Sequence, residues 1–179
     1  MAKRVYVSDY GTIKTAADPR LWPIPSSGAQ RFVHWLAATG FAQLSAAWEL
    51  EGNTPLEAAS GWRPPKDWTR AEYNAYLVKK YRHRFKSGTG ANKIIAYGRR
   101  LIAFQSAHST GLAIDIGSHG LEPRSATMAT QKKTKLYKWL VANAEKYGWT
   151  LYRHESWHVE LPVSKELWLL EGPERSVSN

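Results

Sequence analysis

The chain has 179 residues, 43% hydrophobic and 22% charged, which is the balance and length of one globular domain and excludes wholesale disorder. It has no cysteine, so disulfide frameworks, cysteine nucleophiles and thiolate metal sites are excluded, and any metal must be held by histidine, carboxylate or water. A formal charge of +10 attracts polyanions, and charge alone does not choose between nucleic acid and an anionic cell envelope.

Met1–Tyr10 carries basic residues but no apolar stretch of the signal-peptide kind, and no apolar run approaches the roughly 20 residues that span a bilayer. The expectation is synthesis in the cytoplasm without a leader, no stable membrane insertion, and release by some other route if the protein acts outside. Residues 1–27, with Asp18-Pro19 and Trp22-Pro23-Ile24-Pro25, read as an extended arm. Phe32, Val33 and Leu36 then fall at helical spacing, with Gly40 as the expected stop. Leu56–Arg63 reads as a short strand broken by Pro64-Pro65. Thr69-Arg-Ala-Glu72 is a capping box opening a helix with Tyr73, Tyr76, Leu77 and Tyr81 on a stripe, which ends in the basic run Lys79–Lys86. Ser87–Asn92 is a glycine-containing loop without phosphate-loop spacing. Gly111–Gly117 is a strand bounded by glycines. A helix is expected over 131–147 with Gly148 closing it, and short strands near 149–152 and 157–161. The class is α+β, a small antiparallel sheet with helices packed against it. The expected division is an arm over 1–27, one domain over 28–165 and a tail over 166–179.

Six histidines are present. His34 and His83 read as ordinary packed or surface residues. The stretch Ser106-Ala-His108-Ser-Thr-Gly111-Leu-Ala113-Ile-Asp115 is different. Gly111 permits a turn that folds His108 back beside the strand bearing Asp115, and Ala113 leaves room for a neighbour. Glu155-Ser-Trp157-His158 offers a second imidazole and a carboxylate three residues before it. Three nitrogen and oxygen ligands with one open position is the pattern of catalytic zinc. The residues alone leave two readings open, a metal site and plain strand-end polar residues.

The pattern S-x-H-x-x-G-x-A-x-D followed by E-x-W-H resembles the signature of the zinc D-alanyl-D-alanine carboxypeptidase family, which includes vancomycin-resistance carboxypeptidases and many phage endolysins. Ser60-Gly-Trp62-Arg63 is similar to the family's Ser-Gly-Tyr-Arg strand, with Trp for Tyr, and the resemblance runs over about residues 28–162. It implies one Zn2+ per chain, held by His108, Asp115 and His158 at the sheet cleft. Glu155 would be the general base and then acid, and Arg63 the partner of the developing oxyanion. Trp62 and Trp157 would line the substrate site. Ser106 would hydrogen-bond a ligand or the substrate, or merely cap a turn. His119 reads as a loop residue or a lining of the cleft mouth. His154 would point away from Glu155 if the strand is extended, and Glu160 reads as a salt-bridged strand residue or a partner behind the metal ligands.

What the resemblance implies is a monomeric zinc metallopeptidase cutting peptide bonds of bacterial peptidoglycan. The first expectation is a phage endolysin acting as an L-alanyl-D-glutamate endopeptidase at the cell wall after release. The alternatives are a D-alanyl-D-alanine carboxypeptidase and a non-catalytic zinc-containing binder of the same fold. The expected polyanion is then an envelope polymer rather than nucleic acid.

Overall fold

The computed structural model describes residues 3–173. The last residues of the expected tail, 174–179, lie outside the described residues. The chain divides into two compact units: residues up to Pro64 together with those from Ala107 onward form one, and Pro65–Ser106 forms the other. Among the described residues no helix is long and apolar enough to cross a membrane.

The first unit holds the expected sheet. Strands β1 (Leu21–Ile24) and β2 (Arg31–His34) form an antiparallel pair, preceded by the short helix α1 (Val7–Tyr10) and followed by α2 (Trp35–Glu49). The segment expected as an extended arm therefore contains two regular elements, and Val5, Tyr10, Ile13, Leu21 and Ile24 are buried in the core. Their apolar side chains gain more from burial than the prolines cost in pairing. The helix expected to stop at Gly40 instead begins at Trp35 and runs to Glu49. Its buried face is Ala37, Gly40, Phe41, Leu44, Ser45 and Trp48, at helical spacing. Gly40 is a crossing point rather than a stop: Trp149 Nε1 donates to its carbonyl at 3.2 Å, and an added Cβ would lie 3.3 Å from Leu161.

The second sheet has the order β3-β4-β6-β5, all antiparallel: β3 is Ala58–Ser60, β4 is Ala113–Ile116, β5 is Thr150–Leu151 and β6 is His158–Glu160. The expected helix over 131–147 is broken into α5 (Met128–Gln131), α6 (Lys135–Asn143) and a 3₁₀ turn over Ala144–Tyr147. The break has a local cause, because the Thr134 hydroxyl accepts from Tyr137 N–H and starts a new helix. Gly148 closes the last turn as expected, with φ of +81°. Helix α7 (Lys165–Leu169) runs from the last residue of the expected domain into the segment expected as a tail, and buries Trp168.

The second unit is a helical hairpin. Helix α3 (Arg70–Tyr81) opens on the expected capping box, with Glu72 accepting from Thr69 N–H at 2.6 Å. The segment after the Ser87–Gly90 turn forms α4 (Ala91–Arg99), not foreseen because its apolar stripe is short. Tyr73, Leu77, Tyr81 and Ile94 make a separate small core.

Candidate metal centre

Strand pairing brings the candidate ligands together. In the β4–β6 register Asp115 lies opposite His158, Ala113 opposite Glu160, and Ile114 opposite Val159. Side chains alternate along a strand, so Ala113, Asp115, His158 and Glu160 share one face while Ile114, Ile116 and Val159 share the other. Directly opposed residues have Cβ atoms only about 4.5–5.5 Å apart. His158 Nδ1 consequently sits 3.0 Å from Asp115 Oδ1.

His108 reaches the same carboxylate from a different element, a 3₁₀ turn over Ala107–Thr110. Gly111 makes the turn possible: its φ is +75°, and a Cβ there would lie 2.8 Å from the His34 backbone nitrogen. The expected bend is therefore present. His108 Nδ1 donates to Gly61 O at 2.7 Å, which turns Nε2 toward Asp115 Oδ1 at 3.2 Å. The two imidazole centroids are 5.0 Å apart.

Glu160 lies behind His158. It is fully buried and faces His158 Nε2 at 2.9 Å, while accepting from Val5 N–H at 2.8 Å and from both Nε and Nη2 of Arg4. Glu160 is thus salt-bridged to Arg4 and within hydrogen-bond distance of a candidate ligand. The two-residue spacing from His158 was the signal. Arg4 carried no signal, because nothing in the sequence joins residue 4 to residue 160.

The charges are strongly organised. Burial alone would raise the pKa of Asp115, but hydrogen bonds from His108 and His158 outweigh it and hold the carboxyl well below its usual range. Burial depresses His108, only partly opposed by Asp115. Burial also works against charge on His158, yet its hydrogen bonds to Asp115 and Glu160 lift it to about 9. Glu160 is held down to about 2 by His158 and Arg4 against the opposing effect of burial. Two buried carboxylates flanking one imidazole make a site that favours a cation.

His108, Asp115 and His158 form a group able to hold one metal ion, their donor atoms all lying within 4.8 Å of one another. Neighbouring donors around a tetrahedral zinc, each bonded at about 2.0–2.1 Å, stand about 3.3 Å apart. The observed 3.2 and 3.0 Å separations from Asp115 Oδ1 match that spacing. The donor chemistry, two imidazoles and one carboxylate, is also that of zinc.

The remaining candidates fall into two groups. Glu155 lies in the turn before β6, its side chain 43% exposed and its Oε2 3.8 Å from His158 Nδ1. Arg63 is 55% exposed, with Nη2 3.9 Å from Asp115 Oδ2. Both stand beside the ligand group and remain open to solvent. Trp62 is half-buried against the core, its indole N–H donated to Ile13 O at 2.9 Å. Trp157 is buried in the core, a packing position rather than the expected substrate-facing one. Ser106 is exposed and is the last residue of the second unit. His154 sits exposed in a turn, so strand alternation is not what separates it from the site; its ring packs near Tyr152. His119 is half-buried in a left-handed conformation (φ 54°), its ring edge-on to Trp48.

The family profile described as VanY, D-alanyl-D-alanine carboxypeptidase, matches residues 30–170. No curated protein matches the chain. Among solved structures, VanYB in complex with D-alanine-D-alanine is 20% identical, with a TM-score of 0.50, covering 88% of this chain and 84% of that one. A vancomycin-resistance D,D-pentapeptidase VanY variant in complex with Zn(II) is 20% identical, with a TM-score of 0.47 and coverage of 87% and 85%. The LdcB LD-carboxypeptidase is 22% identical, with a TM-score of 0.37 and coverage of 95% and 96%. The likeness to VanYB is one of fold alone, and the α+β architecture is that fold. With the profile spanning most of its length, the chain belongs to the VanY D-alanyl-D-alanine carboxypeptidase family.

Proposed function

We propose that this chain is a zinc metallopeptidase that hydrolyses an amide bond in the peptide part of bacterial peptidoglycan. The observation that carries the reading is the convergence of His108, Asp115 and His158 on one sheet face, with Glu155 and Arg63 beside them. Zinc held by the three ligands would supply Lewis-acid polarisation of the scissile carbonyl and a lowered pKa for water. Glu155, solvent-reachable and next to the ligands, takes the proton of the attacking water. It then returns that proton to the departing amine as the C–N bond breaks. The Arg63 guanidinium faces the carbonyl oxygen and stabilises the negative charge that develops there.

Two bonds suit this site. One is the L-alanyl-D-glutamate bond, whose cleavage is the endolysin role; the other is D-alanyl-D-alanine, the bond named for the matched family. In both, the residue giving the scissile nitrogen bears a free carboxylate, and the carbonyl oxygen that Arg63 faces develops the same charge. Mass spectrometry of fragments released from purified peptidoglycan, with and without a chelator, tests the proposal. New D-glutamate amino termini identify the endopeptidase, and released D-alanine identifies the carboxypeptidase. Digestion that continues undiminished with the metal stripped would refute the zinc mechanism.

A further inference from the structure

The turn that carries Glu155 is held in place by a residue outside the ligand group. The Glu155 carboxylate accepts no hydrogen bond from the described residues, and its Oε2 stands 3.8 Å from His158 Nδ1, beyond hydrogen-bond range. Its position is therefore set by the backbone beneath it. That backbone makes two linked turns: Glu155 N–H donates to Tyr152 O at 2.9 Å, and His158 N–H donates to Glu155 O at 3.0 Å. On one side Trp157 is fixed by burial in the core. Ser156, between Glu155 and Trp157, is also buried, and its hydroxyl donates to Gln131 Oε1 at 3.0 Å. Apolar contact holds a residue down without fixing its direction, whereas a hydrogen bond fixes both.

Gln131 is the last residue of α5 and is buried, and both ends of its amide are in use. Oε1 also accepts from Glu122 N–H at 3.2 Å. Nε2 lies within reach of three acceptors, Glu122 O at 2.9 Å, Arg124 O at 3.2 Å and Thr127 Oγ1 at 2.9 Å. With acceptors crowding one end and donors the other, the amide has a single satisfied orientation. It ties the Glu155 turn to α5 and to the segment 122–127. The next residue, Lys132, reaches the same turn, its Nζ donating to Arg153 O at 2.8 Å. We infer that Gln131 is a positioning residue for Glu155, acting through the Ser156 hydroxyl, an inference that rests on the reading of Glu155 as general base. A carboxylate that takes a proton from water and returns it to an amine must stand within about 0.5 Å of its working place. A misplacement of about 1 Å costs on the order of 10²-fold in rate. Ser156→Ala removes the link and strands no donor, because Gln131 Oε1 still accepts from Glu122 N–H.

The test uses the full zinc-loaded chain and a soluble stem pentapeptide, which holds both candidate bonds. Ser156→Ala and Gln131→Ala should each lower kcat about 10–100-fold with KM changed less than about twofold. The variant carrying both should be no slower than Gln131→Ala alone. Zinc affinity, read by competition with a chromophoric chelator, should stay within about threefold of the parent, since the ligand side chains keep their own partners. The sharpest comparison is made without the carboxylate. E155A/S156A should match E155A within about twofold, because a missing carboxylate has no position to lose, whereas a merely structural role multiplies the two losses. Amide hydrogen exchange at Glu155 and His158 should quicken about tenfold or more in Ser156→Ala, a readout independent of turnover. The inference is overturned by parental kcat in Ser156→Ala, by multiplied losses in E155A/S156A, by unchanged exchange at the turn, or by zinc affinity that falls along with kcat. Should Gln131→Ala fail to fold, Ser156→Ala decides alone. Hydrolysis by Glu155→Ala at the parent's rate removes Glu155 as the base, and the inference with it. A parent without hydrolysis removes the peptidase reading and the inference together. An inactive Glu155→Ala beside a fully active Ser156→Ala removes the inference alone.

Discussion

Replacing Glu160 by Gln tests how far the site depends on the residue behind it. Gln keeps the size of Glu160 but changes one oxygen into an NH2 group and removes the charge. Both Glu160 oxygens contact the Arg4 guanidinium, and they also receive Val5 N–H and face His158 Nε2. Either orientation of the amide therefore sets an NH2 against a guanidinium N–H. A lost hydrogen bond to a charged group costs about 1.5–3 kcal/mol, and breaking a fully buried pair about 3–5 kcal/mol. Arg4 is one-third exposed, at 34%, so water recovers part of that loss. The expected destabilisation is about 2–3 kcal/mol, read from urea unfolding at neutral pH. His158 also loses the carboxylate that fixes its ring, for which zinc affinity should fall about 10–100-fold in competition with a chromophoric chelator. Zinc affinity within about threefold of the parent would show that Glu160 supports the fold without orienting the ligand.

Glu155→Ala should keep zinc and the fold, by metal content and circular dichroism, while hydrolysis falls by about two to four orders of magnitude; normal digestion of peptidoglycan would mean that another group is the base. Arg63→Ala should lower kcat by about 10²–10³ with zinc retained, and Lys at the same position should restore only part, since a point charge does not reproduce the guanidinium; an unchanged kcat with raised KM would move Arg63 from oxyanion to substrate binding. His34 is buried, its Nδ1 accepts from Leu36 N–H at 3.2 Å, and burial lowers its pKa to about 4. Below the unfolded value of about 6.5 the unfolded chain binds a proton that the folded chain refuses, so stability falls as pH drops from about 6.5 to 4, by about 3 kcal/mol in all. The variant His34→Asn should show a pH profile flatter by that amount, and profiles that run parallel would count against this assignment.

The features legible in the sequence were those set by local chemistry. The capping box at Thr69, the glycine turn before β4 and the closing Gly148 all appear where residue type demanded them. The ligand set was legible because its spacing forms a motif, even though strand pairing between residues 43 positions apart is what assembles it. Local pattern misled where tertiary contact decided. Gly40 reads as a helix stop from its own properties and is instead the place where Trp149 crosses α2. Trp157 reads as a substrate wall from its motif neighbours but is drawn into the core. The proline-bearing residues 1–27 read as an arm, yet their apolar side chains complete the core, and Arg4 reaches Glu160 across the fold. No window of sequence contains both members of that pair.

The division of faces explains why the site tolerates its own cost. Burying Asp115 and Glu160 disfavours folding unless each is paired, and the pair of Asp115 with His158 exists only in one strand register. A slip of one residue between β4 and β6 would carry Asp115 and His158 to opposite faces and turn Ile114 and Ile116 away from the core. The alternation in Ala113-Ile-Asp-Ile116 and His158-Val-Glu160 therefore acts twice. The isoleucines and Val159 anchor the register by apolar burial, and the same register sets the imidazole between two carboxylates. Packing on one side of the sheet thus fixes chemistry on the other, and a substitution such as Ile114→Ala should disturb the ligand geometry as well as the stability, without touching a single ligand.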